Sequence, residues 1–244
     1  MLLLVWISLA TTWAAPTAEE LQQAWASTAS EIWFQPSLSE SDWEHLAQGK
    51  TIHRRDHMKG PDRVIGARWT PATRDQLWIA MQDAKHFEIT KGYVEEDFPG
   101  STFNQRTLYQ RIALPWPFSE RQWVINVHNN RALLSQTQNQ VWERSWVSSD
   151  TRGAQAERDD AVWVDQIEGG WILADMGEGN LIVYYTRASV GGNIPDGAAA
   201  QWALSTVNSL VETVDSRARE EVDAHFVVGH APIERPDGSH ILPR

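Results

Sequence analysis

The longest helical pattern in the chain is the feature that most constrains its fold. From Asp196 onward, apolar residues recur at Ala200, Ala203, Leu204, Val207, Leu210, Val211, Val214, Ala218 and Val222, three or four apart for the most part. Gln201, Ser205, Asn208, Glu212, Ser216 and Arg219 fall on the opposite side. A helix this long with one broad apolar side needs a large surface to cover. No other helical stretch in the sequence is long enough to be that partner, and the preceding segments read mostly as strands. The helix is therefore expected to lie across a sheet, and the sheet to curve to meet it. Such an arrangement either fills the intervening space with side chains or leaves a pocket.

The strand-like region supports this. Between Glu88 and the helix, periodicity and turn signals predict strands at Thr102 to Leu114, Trp123 to Arg131, Val141 to Ser148, Val162 to Glu168 with Trp171 to Ala174, and Leu181 to Ala188. Short polar loops between consecutive strands favour an antiparallel meander. Upstream, residues 17 to 35 are helix-compatible, and Ser39-Glu40-Ser41-Asp42 opens a short helix ended by Gly49. Thr51 to His57 and Arg63 to Thr70 read as two strands. Pro71 and Ala72 are expected to begin a helix carrying Leu77, Trp78, Met81 and Ala84.

The apolar run from Met1, followed by small residues up to Ala15-Pro16, resembles a secretory signal peptide, although its start carries no Lys or Arg. The expected plan is a signal peptide over 1–15, a helical extension over 16–37, one domain over 38–227 and an extended or mobile tail over 228–244. A secreted or periplasmic protein follows, with an uncleaved N-terminal anchor as the alternative. A net charge of −11 argues against a nucleic-acid partner and against non-specific attachment to an anionic membrane; transient membrane contact remains compatible. The fourteen tryptophans have two readings, as core and rim plugs or as the lining of an apolar cavity.

Two motifs then carry a resemblance. Leu114-Pro115-Trp116-Pro117-Phe118-Ser119-Glu120-Arg121, running into Gln122-Trp123-Val124, resembles the Pro-rich turn and strand of START-type lipid-transfer domains. Gly192-Asn193-Ile194-Pro195 resembles that family's entry to its C-terminal helix. With the order of elements, the similarity spans roughly residues 40 to 222. Arg121 fits the family pattern, while Gln122 stands where the family usually has Asp, so an Arg-Asp pair is not carried over. The resemblance implies an α+β helix-grip fold, a strongly bent antiparallel sheet gripping the last helix, with a tunnel for a lipid or another apolar small molecule. The wider START/SRPBCC superfamily also holds polyketide cyclases and aromatases, and fold alone does not choose among functions.

Strand alternation divides the candidate lining. Trp123, Ile125 and Val127 share one side of their strand, taken as inward, and Leu108, Gln110 and Ile112 share one side of the preceding strand, also taken as inward, with Gln110 as a polar anchor. Trp142 and Arg144 share a face with Trp146. Buried, Arg144 would need a carboxylate or a ligand anion; the other reading is a solvated cation between rim indoles. Ala203, Val207 and Leu210 are the helix's contribution, Ala203 being small enough either to leave volume or to allow close packing.

Catalytic and metal signatures do not stand out. His53 and His57 would lie about 13 Å apart along a strand, too far for one ion, and the sequence has neither HExxH nor cysteine. No nucleophile, phosphate-loop or dinucleotide motif occurs, so no cofactor is expected. Asp165, Glu168, Tyr184 and Tyr185 are the groups an enzyme on this scaffold would recruit. The expectation is a non-catalytic binder or carrier, with a cyclase-like enzyme or a protein-interaction module as alternatives.

Overall fold

In a computed structural model of the protein, the described residues are 15–29, 34, 36–82, 93–114, 116, 118–189, 191, 194, 196–220, 222–226 and 231–243. Apart from Ala15, the expected signal peptide lies outside them, as do Gly192, Asn193 and Pro195. Two helices come first, α1 (Ala18–Ala29) and α2 (Glu40–Ala47). The predicted start of α2 is a reciprocal cap: the Asp42 N–H donates to the Ser39 hydroxyl, and the Asp42 carboxylate accepts the Ser39 N–H at 2.7 Å. Strands β1 (Ile52–Asp56) and β2 (Arg63–Thr70) form the expected hairpin. Helix α3 (Arg74–Gln82) begins later than Pro71 and Ala72 suggested, because Thr73 and Gln76 cap each other. Pro71 therefore precedes the helix instead of occupying its first turn, and Ala84 lies outside the described residues.

The remaining elements are β3 (Val94–Asp97), β4 (Gln105–Ile112), β5 (Arg121–Asn129), α4 (Arg131–Gln136), β6 (Val141–Ser148), β7 (Val162–Trp163), β8 (Gln166–Asp175), β9 (Asn180–Ser189), α5 (Asp196–Glu220) and α6 (Val222–His225). The sequence reading missed β3, whose Val-Glu-Glu-Asp lacks apolar alternation, and α4. Arg131 opens α4 instead of ending β5, since the Asn130 side chain accepts the Leu133 N–H at 3.0 Å. β8 runs unbroken through Gly169-Gly170. Any Cβ at Gly169 would meet the Trp146 ring at 2.6 Å, and one at Gly170 would meet the Tyr185 hydroxyl at 2.6 Å. Those glycines make room for aromatics on the two faces instead of breaking the strand.

The main sheet has nine strands, β7 pairing in parallel beside β5, and the other eight in the antiparallel order β1-β2-β9-β8-β6-β5-β4-β3. The meander holds from β3 to β9, and β2 then pairs with β9, which places the β1–β2 hairpin beyond the last strand. The sheet is open, and its two faces are covered differently. α5 lies on one face, packed mainly against β1, β2, β9 and α3. Contact is close at Gly66, where a Cβ would come within 2.5 Å of the Val207 side chain. On the reverse, Leu21 and Trp25 of α1, Trp43 and Leu46 of α2 and Leu133 of α4 cover Ile65, Ile172, Leu181 and Val183.

Arg121 and Gln122 show how the Pro-rich turn is tied in. The Arg121 guanidinium donates to the Gly191 carbonyl at 3.3 Å, holding this turn to the approach to α5. The Gln122 amide accepts from the Tyr109 hydroxyl (3.0 Å) and the Arg158 N–H (3.1 Å), and donates to the Arg158 (2.7 Å) and Ala161 (3.1 Å) carbonyls. A carboxylate there could accept but not donate, which accounts for the amide in this chain. These bonds hold the loop that covers Tyr109 and Val124 on the reverse face.

The expected mobile tail is corrected over its described part. Residues 231–243 carry a hairpin of β10 (Ile233–Glu234) and β11 (His240–Ile241), with Ile233 and Ile241 buried in the core beside α3. Its Pro-, His- and Gly-rich composition reads as loop because the hairpin owes its order to long-range contacts.

Candidate functional site

Residues directly paired across strands project to the same side of a sheet, so the register defines the face that looks toward α5. Leu108 pairs with Ile125, Gln110 with Trp123, Val127 with Trp146, Arg144 with Trp171, and Trp171 with Tyr184. Gly66, the α5 contact, pairs with Tyr184 and so fixes this as the inner face.

The inner face has two parts. Leu210, Val211 and Val214 of α5 form one core with Trp78, Trp142, Trp171, Leu173 and Ile182. A separate buried cluster, Leu108, Trp123, Ile125, Val127 and Val164, lies under β4 and β5, with Ile112 and Trp146 at its margin. Tyr184 stands between the two, its ring 5.7 Å from Trp146 and 4.7 Å edge-on from Trp171. Tyr184 and Tyr93 are both half-buried on this face.

A polar network borders the apolar cluster. The Trp123 indole N–H donates to Gln110 Oε1 at 2.9 Å, and Gln110 Nε2 donates to the Tyr93 hydroxyl at 2.6 Å and to Glu95 at 3.1 Å. Tyr93 in turn donates to Glu95. Arg106 bridges Glu95 at 3.1 Å and Asp97 at 2.7 and 2.8 Å. Arg144 is 6 % exposed, which settles the two readings of this residue in favour of the buried cation. Its Nη1 donates to the Phe103 carbonyl and to Asn129 Oδ1, both at 2.8 Å. Burial, with Arg106 adding to it, draws its pKa down to about 9, so it stays protonated at neutral pH.

Burial raises the pKa of all four tyrosines. Tyr184 is pushed up to about 12, and Tyr93 is held well above the usual value by burial and by Glu95. Tyr185 is raised by burial and by the Glu143 carboxylate, which accepts its hydroxyl on the reverse face; Tyr109 is raised mainly by burial. An unfolded tyrosine ionises near pH 10, so the unfolded state loses phenolic protons first. The stability contributed by Tyr184 is full below about pH 10 and falls as the pH rises toward 12. Absorbance titration at 295 nm should show no tyrosinate at pH 10, and its appearance should coincide with loss of the near-UV circular dichroism.

Of the residues expected to line a pocket, Leu108, Gln110, Ile112, Trp123, Ile125 and Val127 come together on the inner face. Trp142 sits edge-on against Trp78 at 5.5 Å, and Leu210 joins that core. Val207 packs on β2 at Gly66, and Ala203 is half-buried. Among the groups an enzyme would recruit, Asp165 is exposed, Glu168 is half-buried near the start of β8 and paired with Arg187, and Tyr185 faces the reverse side; Tyr184 alone looks inward. Sequence reasoning did not assign Tyr93, Glu95 or Arg106 to this face. Arg106 has the parity of Leu108, Gln110 and Ile112 and was findable by alternation, whereas Tyr93 and Glu95 needed β3 to be recognised.

No family model matches the sequence, and no curated protein is found as a relative by sequence. Solved structures do match. A fragment of a STAR-related lipid transfer protein from Xanthomonas axonopodis superposes with a TM-score of 0.56 at 21 % identity, covering 70 % of this chain and 93 % of that one. Human StAR-related lipid transfer protein 5 gives 0.57 at 9 % identity, over 83 % of this chain and 98 % of that one. The lipid transfer and protein localization domain of human StarD13 gives 0.57 at 10 % identity, covering 82 % and 97 %. The fold is that of START lipid-transfer domains, in keeping with the helix-grip arrangement expected from the two motifs.

Proposed function

We propose that this START-fold chain binds a lipid or another largely apolar small molecule between the inner face of β3–β6 and α5, without transforming it. The observation that carries this reading is the separation of two apolar clusters on one face. α5 packs mainly on the β1, β2 and β9 side, while Leu108, Trp123, Ile125 and Val127 form their own cluster beside Tyr184 and Trp146. An apolar body seated there gains affinity from desolvation, and the Gln110–Tyr93–Glu95 network offers polar groups to orient it. Asp165, Glu168 and Tyr185 lie away from this face, and the acids that do border it, Glu95 and Asp97, are engaged by Arg106, Tyr93 and Gln110, which supports binding over acid–base chemistry.

Native mass spectrometry of the gently purified protein is expected to show a bound molecule, or uptake from a panel of fatty acids, sterols and phospholipids. Brominated analogues of the bound lipid should quench indole fluorescence, since Trp123 and Trp146 border the proposed site. A protein that emerges unfilled and ignores the whole panel overturns the proposal.

A further inference from the structure

Arg144 is a buried cation whose hydrogen bonding is incomplete. Its partners through Nη1 are neutral oxygens, the Phe103 carbonyl and the Asn129 side chain, and its Nη2 is sealed from solvent with no acceptor. The carboxylates on this part of the inner face are committed elsewhere, Glu95 to Tyr93, Gln110 and Arg106, and Asp97 to Arg106. A sealed guanidinium N–H without an acceptor is costly, and a charge without a counter-ion more so. An oxyanion brought by a ligand would relieve both. On the sheet, Arg144 lies between Asn129 and Trp171, two residues along β6 from Trp146 and so next to the aromatic floor formed with Tyr184.

We propose that Arg144 is the anchor for the anionic head of the ligand, and that the ligand class is single-chain monoanionic amphiphiles of the long-chain carboxylate type. This rests on the binding reading above and narrows it. A monoanion is favoured over a dianion because Arg144 offers one unpartnered nitrogen and a single charge to balance, while the nearby cation Arg106 is already taken up by Glu95 and Asp97. A carboxylate also suits a donor that retains one unpartnered nitrogen, a charge-assisted hydrogen bond being roughly twice as strong as a neutral one.

The test compares oleate with oleyl alcohol, which shares the chain and lacks the charge, in the full-length protein and in Arg144→Gln and Arg144→Met. The wild type should bind oleate at least about 10-fold more tightly. Both variants should lose that preference, the affinity for oleate falling to about that for the alcohol in the same variant. Equal binding of the two by the wild type, or a preference that survives in the variants, overturns the anchor and leaves the binding reading standing. Binding of neither overturns the long-chain class proposed here, and the wider panel of sterols and phospholipids then decides the binding reading by itself. Should both variants fail to fold, carboxyl-¹³C oleate in the wild type decides: beside a guanidinium its carboxyl titrates below that of the free acid, and an unshifted or raised titration overturns the assignment.

Discussion

Asp215→Ala lowers the stability of the fold by about 3–5 kcal/mol, as denaturant unfolding should show. Asp215 is 2 % exposed on α5 and accepts from Arg68 of β2 at 2.6 Å and from Arg219, one turn along the helix, at 3.0 and 3.1 Å. It is therefore an ionic tie between helix and sheet at the end of the contact that begins at Gly66. Truncation leaves the Arg68 guanidinium, itself only one-fifth exposed, facing α5 with Thr51 as its remaining partner. Most of the loss is the cost of that stranded cation and not the worth of the pair, so the double variant Arg68→Met/Asp215→Leu should recover the greater part of it. A double variant as unstable as Asp215→Ala alone would show that the tie matters for another reason.

Trp78→Ala is expected to cost a further and independent 3–5 kcal/mol or so. The indole is fully buried, meets Trp142 edge-on, and donates to the Glu234 carbonyl at 2.9 Å. That bond, with the Arg235–Asp75 pair at 2.6 and 2.7 Å, fastens the C-terminal hairpin to α3. The variant should therefore also expose the hairpin to proteolysis under conditions where the wild type resists. Trp78→Phe keeps much of the packing and loses the donor, and should cost the smaller sum of about 1 kcal/mol for the bond plus the partial cavity. Equal losses for Phe and Ala would mean that the hydrogen bond, and not the volume, dominates.

Elements whose signal is local were legible in the sequence. The α5 stripe, the Ser39 cap and the strands β4, β5 and β6 each carry a period or a cap within a dozen residues, whereas Val162 to Glu168 was read as one strand and divides into β7, parallel to β5, and the start of β8. β3 was not legible, because its acidic residues are held by Arg106, Tyr93 and Gln110 on neighbouring segments. Nor was the hairpin after α6, whose order comes from Trp78 and Asp75 more than 150 positions earlier.

The candidate site divides along the same line. Alternation placed Leu108, Gln110 and Ile112 on one face and Trp123, Ile125 and Val127 on one face, since a strand's period is a property of its own backbone. It could not say whether Arg144 was solvated or buried, nor that Val207 would be taken up by packing on Gly66. Those outcomes depend on which strand lies next to which and on where α5 comes down across them. Burial and charge compensation are properties of that assembled neighbourhood, and residues far apart in the chain supply it.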